Sequence, residues 1–85
     1  MSRLIPAAER IKRAYILIQK ARDLPVPADL GKYDLSYIAG VKDLMRQARD
    51  LVKFIPYNPS SSAEMKEEVK KIFEETEKAE KEILH

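Results

Sequence analysis

Apolar residues recur along the chain at alternating spacings of three and four positions, in three separate segments. Because an α-helix completes a turn every 3.6 residues, such spacing places each set on one face of a helix. The pattern predicts three amphipathic helices, each with one continuous apolar stripe. In chain order the stripes consist of Leu4, Ala7, Ile11, Ala14, Ile18 and Ala21; of Ile38, Val41, Met45, Ala48, Val52 and Ile55; and of Met65, Val69, Ile72, Thr76, Ala79 and Ile83.

Proline and capping residues indicate where these helices begin and end. The two prolines within residues 24–27 disfavour helical backbone in the residue before each, so the first helix should end just before them. Asp34 can cap the second helix through its carboxylate, and Pro56 should stop it. Ser61, with a glutamate three residues later, has the spacing of a capping box for the third helix. The predicted helices cover residues 5–23, 34–54 and 61–84.

These segments together predict an all-α fold. Residues that favour strands are scarce, with four valines and one threonine in 85 residues. Connections of about ten and six residues are ordinary between antiparallel neighbours, so we expect an up-down-up three-helix bundle that occupies residues 1–85 as one domain. A chain this short buries only about 60 to 65% of the surface that it exposes when unfolded, so nearly every stripe residue should enter a single core.

The tetrapeptide Ala-Arg-Asp-Leu occurs twice, at residues 21–24 and 48–51. It belongs to a weak similarity between the first two helices at an offset of 27 residues. A duplicated helix would explain this similarity, but two amphipathic helices of the same register converge on it easily, and we favour convergence.

Two isoleucines of the first helix, Ile5 and Ile16, project from the side opposite its stripe. A three-helix bundle buries one wide stripe per helix, so this back face needs cover from elsewhere. One alternative is the proline-containing loop, through Val26 and Leu30. The other is a second molecule, with assembly into a helical homo-oligomer, in which case Ile5 and Ile16 are the candidate oligomer contacts.

The net charge of +2 conceals an asymmetry along the chain. Residues 1–57 hold 11 Lys and Arg against 6 Asp and Glu, and residues 58–85 hold 5 against 8. A row of cations beside the apolar stripe of the second helix, here called the basic stripe, could contact phosphates or an acidic partner helix. Asp43 and Asp50 lie alongside it and no aromatic residue is interleaved, so we favour a solvated flank. The basic stripe consists of Lys42, Arg46, Arg49 and Lys53.

The residue inventory argues against catalysis. The chain has no cysteine, and its one histidine is the last residue, His85. The chain therefore lacks the residues for three kinds of site: a nucleophile with a neighbouring base, a Cys/His zinc site and a carboxylate-histidine metal site. Its two glycines do not form a phosphate-binding loop. We expect no enzymatic activity, no metal and no cofactor; binding of an anionic substrate by Arg and Lys alone is the exception that the sequence leaves open.

No apolar run approaches the 18 to 20 residues of a membrane span, since the longest has five residues. Residues 2–22 carry six cations and one acid, as a transit peptide or membrane-surface helix would, but their stripe matches the other two and they are needed for the core. We therefore expect a cytoplasmic protein that does not bind membranes. The abundance of charge, with few Asn and Gln, is typical of thermophile proteins.

From the sequence we predict a non-catalytic protein–protein interaction module that self-associates, with itself or another helical protein as partner. The alternative is a nucleic-acid or anion-binding bundle that uses the basic stripe. A stripe of this length reaches only a few phosphates, so any binding of nucleic acid would be weak and independent of sequence.

Overall fold

The computed structural model describes residues 6–84, apart from the side chain of Lys32. Three α-helices account for most of this part of the chain: α1 (Ala7–Asp23), α2 (Leu35–Val52) and α3 (Ala63–Leu84). Two short 3₁₀ helices, Gly31–Tyr33 and Ile55–Tyr57, lie in the connections. The described residues contain no strand, and the predicted all-α fold is confirmed.

Helices α1 and α2 run antiparallel. Near one end of the pair, Arg10 Nη1 donates a hydrogen bond to the main-chain carbonyl of Leu51 over 3.3 Å. Near the other end, Leu24 Cδ1 lies 3.7 Å from where a β-carbon on Gly40 would stand. The start of α1 thus meets the end of α2, as in a helical hairpin.

Helix α3 runs parallel to α1. The Tyr15 hydroxyl donates a hydrogen bond to Glu68 Oε2 over 2.8 Å, and Arg22 Nη1, two turns later, donates one to Glu82 Oε2 over 2.8 Å. Because the partners advance together along both helices, the chain passes up, down and up. The three-helix bundle is therefore the observed architecture.

All the fully buried side chains of residues 6–84 belong to the three predicted stripes. Four of them are alanines, whose small side chains let neighbouring helices pack closely. Thr76 is the one polar member. The buried residues are Ala14, Ile18, Ala21, Val41, Met45, Ala48, Val52, Ile55, Val69, Ile72, Thr76 and Ala79.

The end of the second helix and the start of the third each differ from the prediction by two residues. Asp34 caps α2 as expected, because its Oδ1 accepts a hydrogen bond from the main-chain N–H of Tyr37 over 3.0 Å. The α-helix ends at Val52 rather than at residue 54. Pro56 has no N–H to donate to the Val52 carbonyl, so the chain tightens into the 3₁₀ helix that follows.

The predicted capping box is wrong: α3 begins with a simple N-cap at Ser62, and the third helical residue is Met65, whose side chain cannot return a hydrogen bond. Ser62, not Ser61, accepts a hydrogen bond from the main-chain N–H of Met65, over 3.1 Å. Ser61 instead donates its hydroxyl to the carbonyl of Ile55 over 2.8 Å, which holds the preceding turn against the helix start. The start predicted for the first helix, at Ile5, lies outside the described residues.

The three helices form two layers. The Cα atoms extend over 48 × 30 × 16 Å, and the shortest dimension fits two layers, because packed helix axes are about 8–10 Å apart and the backbone adds about 2.3 Å on each side. Helix α3 packs on both α1 and α2. It therefore covers one face of the α1–α2 hairpin.

The two glycines predict opposite effects of an alanine. Gly31 has a φ of +57°, a conformation that a side chain disfavours, so Gly31→Ala should lower the free energy of unfolding by about 1 kcal/mol. Gly40 lies in α2, and a β-carbon there would make only ordinary contact with Leu24. Gly40→Ala should therefore raise the free energy of unfolding by about 0.5–1 kcal/mol.

Urea denaturation followed by circular dichroism measures both changes. A destabilised Gly40→Ala protein would contradict the packing described between Leu24 and α2.

Candidate interaction surface

One arginine from each helix of the hairpin binds the acidic helix α3. From α1, Arg22 donates to Glu82 over 2.8 Å and to Glu75 over 3.4 Å. From α2, Arg49 donates to Thr76 Oγ1 over 3.2 Å and to Glu80 over 3.4 Å. The hydrogen bond from Arg22 holds the pKa of Glu82 below its ordinary value.

These arginines occupy the same position in the two copies of Ala-Arg-Asp-Leu. The alanines of both copies are buried in the core, and both arginines reach α3. Each leucine that ends a copy packs against the core while staying partly exposed. The repeated tetrapeptide therefore performs the same structural role in both helices of the hairpin.

The basic stripe is divided by the fold. Arg49 faces α3, as described above, and is only partly exposed. Arg46 contacts Asp43 one turn away, and Lys53 Nζ lies 3.2 Å from Asp50 and 5.1 Å from the centre of the Phe54 ring. Lys42 is exposed. Three of the four predicted cations thus have an acidic partner within the protein.

A groove of about 710 Å³ runs between α1 and α3. Charged side chains from both helices line it, and Tyr15 closes one side through its hydrogen bond to Glu68. Burial of the phenol, together with that bond and the negative charge of Glu68, raises the pKa of Tyr15 to about 12. This groove belongs to the contact that fastens α3.

The raised pKa of Tyr15 predicts a loss of stability in alkali. A protonated phenol is favoured in the folded protein, so its contribution is complete below pH 10 and is lost as the pH rises from 10 to about 12. The difference between wild-type protein and Tyr15→Phe, in tyrosinate absorbance and in unfolding free energy, measures this. If the difference in absorbance shows that Tyr15 titrates with a midpoint near pH 10, the prediction is contradicted.

The opposite side of the α1–α2 hairpin carries an uncovered apolar surface. A groove of about 490 Å³ opens there between α1 and α2; Ile16, Leu17 and Leu51 form its apolar lining, and Arg10, Arg13, Gln47 and Asp50 border it. A second groove, of about 260 Å³, continues it past Leu51 to Phe54. Leu24 and Leu44 stand two turns from Leu17 and Leu51 on the same sides of their helices, so helical spacing extends the surface to them. We call this surface the leucine face; it consists of Leu17, Leu24, Leu44 and Leu51, with Ile16 and Phe54 at its margins.

Exposure identifies which of these side chains remain open to solvent. Ile16 is 56% exposed and Phe54 is 69% exposed, whereas the four leucines are partly buried against the core. Val26 and Leu30 are each 60% exposed themselves. The proline-containing loop, one of the two alternatives for the back of the first helix, therefore does not cover Ile16; Ile5 lies outside the described residues.

Of the two predicted oligomer contacts, Ile5 lies outside the described residues. Ile16 is exposed and borders both the α1–α2 groove and the α1–α3 groove, as a residue on the back of α1 does. Phe54, which the sequence pattern places at the end of the second helix, stands in the turn just after α2. The pattern carries no signal for Phe54, whereas the seven-residue spacing of the leucines marks the flanks of the first two stripes.

Neither metal nor membrane features appear in the described residues. Within residues 6–84, no group of three or more His, Cys, Asp and Glu side chains is arranged to hold a metal ion. None of the helices in this part of the chain is both long and apolar enough to cross a bilayer.

The chain matches no protein-family model, no curated protein and no solved structure. Any functional proposal for this chain therefore rests on the geometry of the chain itself.

Proposed function

We propose that this protein is a non-catalytic protein–protein interaction module that self-associates through the leucine face. The observation that carries the proposal is an apolar surface, on the side of the hairpin away from α3, that no described segment covers. Accessible apolar surface bordered by charged residues, here Arg13 and Asp50, marks interaction sites in small domains. A cytoplasmic location is part of the same proposal, and fractionation of cells that express the tagged chain tests it.

The energetics require more than one side chain. Complete burial of a large apolar side chain contributes about 1.5–3 kcal/mol, whereas association of two molecules costs at least about 4 kcal/mol. Ile16 alone therefore cannot hold two copies together. The leucines and Phe54 must be buried with it, which extends the predicted contact from one helix to the whole leucine face.

The alternative function, binding of nucleic acid or another anion by the basic stripe, has less support. Lys42 is exposed, but the other three cations have carboxylate partners within the protein. Those carboxylates offset part of the positive charge that a phosphate would meet, and the basic stripe spans only a few phosphates in any case.

Ile16→Glu should give a folded monomer, because a charge is costly inside an interface and inexpensive on a side chain already exposed to water. Light scattering over a range of protein concentrations measures the particle mass, and circular dichroism measures folding. Phe54→Gln should weaken association in the same way without introducing a charge.

Lys70→Gln is the matched control for Ile16→Glu, because it changes the net charge by the same amount at an exposed position of α3. It should leave the mass unchanged. A wild-type protein that stays monomeric at all concentrations would contradict self-association. Binding of a generic RNA at low salt that is lost in a Lys42→Glu, Arg46→Glu protein would establish the alternative.

A further inference from the structure

The two edges of the leucine face carry opposite charges. On α1, Arg13 and Lys20 stand one turn before and one turn after Leu17. On α2, Asp43 and Asp50 directly precede Leu44 and Leu51. The α1 edge is therefore cationic. On α2 these carboxylates lie nearest the leucine face, and the cations that pair with them, Arg46 and Lys53, lie further round the helix, away from it.

The present partners of these charges are weak competitors. Arg13 Nε lies 3.4 Å from Glu9 on the same helix, and Asp50 lies 3.2 Å from Lys53, one turn away. The side chains in both pairs are about half exposed. Exposed pairs one turn apart contribute little to stability, so they can be exchanged for contacts to a second molecule.

Two symmetric arrangements can bring two copies of the leucine face together. In the first, the two-fold axis lies in the interface and is perpendicular to the helices. It places α1 on the partner's α1, so that cations meet cations and carboxylates meet carboxylates. A two-fold axis parallel to the helices places α1 on the partner's α2, so that each cationic edge meets an anionic one. Juxtaposed like charges disfavour the first arrangement.

We propose that the leucine face binds a second copy of this chain about a two-fold axis parallel to the helices, with α1 lying antiparallel over α2 of the partner. This inference rests on the proposed self-association and names its partner and geometry. In the resulting dimer the two α1–α2 hairpins pack face to face as four helices, and each α3 lies on the outer side of its own hairpin.

The heights of the charged residues agree with this geometry. Height here means position along the helix axes, and rotation about an axis parallel to the helices does not change it. Each α1 residue therefore meets those α2 residues of the partner that have the same height as its α2 neighbours in its own protomer. Arg10 and Leu51 are close in height, because the Arg10 side chain reaches the Leu51 carbonyl, and the contact between Leu24 and Gly40 gives the same alignment to within about three residues. At a rise of about 1.5 Å per residue, Arg13 then lies within about 3 Å of the height of the partner's Asp50. The same count places Lys20 within about 3 Å of the height of the partner's Asp43.

The chain contains no cysteine, so introduced thiols report this geometry directly. Disulfides form only when Cα atoms approach within about 7 Å. Under mild oxidation, a mixture of Arg13→Cys and Asp50→Cys proteins should form heterodimers between the two, and each protein alone should cross-link no faster than the control Lys70→Cys. Cross-linking of Arg13→Cys with itself above that control would overturn the arrangement in favour of the axis across the helices.

Charge reversal gives a second measurement. Arg13→Glu should weaken the dimer about tenfold or more, Asp50→Arg added to the same chain should restore it, and Lys70→Glu should have no effect. A dimer that Arg13→Glu leaves unchanged overturns the arrangement while self-association stands. A wild-type protein that is monomeric at every concentration overturns both, so the two failures are distinguishable.

Discussion

A single helix can cover only one face of a helical hairpin, and this constraint shapes the rest of the molecule. Helix α3 packs on the α1–α2 hairpin and closes a core built from small side chains and a few larger ones. The chain supplies no fourth helix among its described residues. The closed core and the leucine face are therefore the two sides of one hairpin, one completed within the chain and the other left uncovered.

The attachment of α3 is directional because the acidic residues of that helix lie on both of its flanks. Arg22 binds carboxylates on the flank towards α1, and Arg49 binds Glu80 on the flank towards α2. Both arginines use long side chains that cross from one layer to the other. The charge asymmetry of the sequence is explained in part by this contact, since basic helices meet an acidic one.

The sequence predicted the core well and the surroundings of individual charges less well. Spacing alone identified all the side chains that are fully buried within residues 6–84, because burial follows the helical period. A single helix cannot indicate which neighbour each flank meets, so Arg49 was grouped with Lys42 although it faces α3. The cap at Ser62 was missed for a related reason: Ser61 has an acceptor in the preceding turn, which only the folded chain brings near.

Thr76 gives the bundle a fixed register. Its hydroxyl donates to the carbonyl of Phe73 over 2.8 Å and accepts from Arg49 over 3.2 Å, in an otherwise apolar core. A slip of α3 by one turn would replace Thr76 opposite Arg49 with Ile72 or Glu80. Ile72 offers Arg49 no acceptor. Glu80 would bring a carboxylate into the apolar core. Apolar stripes of similar residues tolerate such sliding, whereas one buried hydroxyl makes a single vertical alignment the most stable.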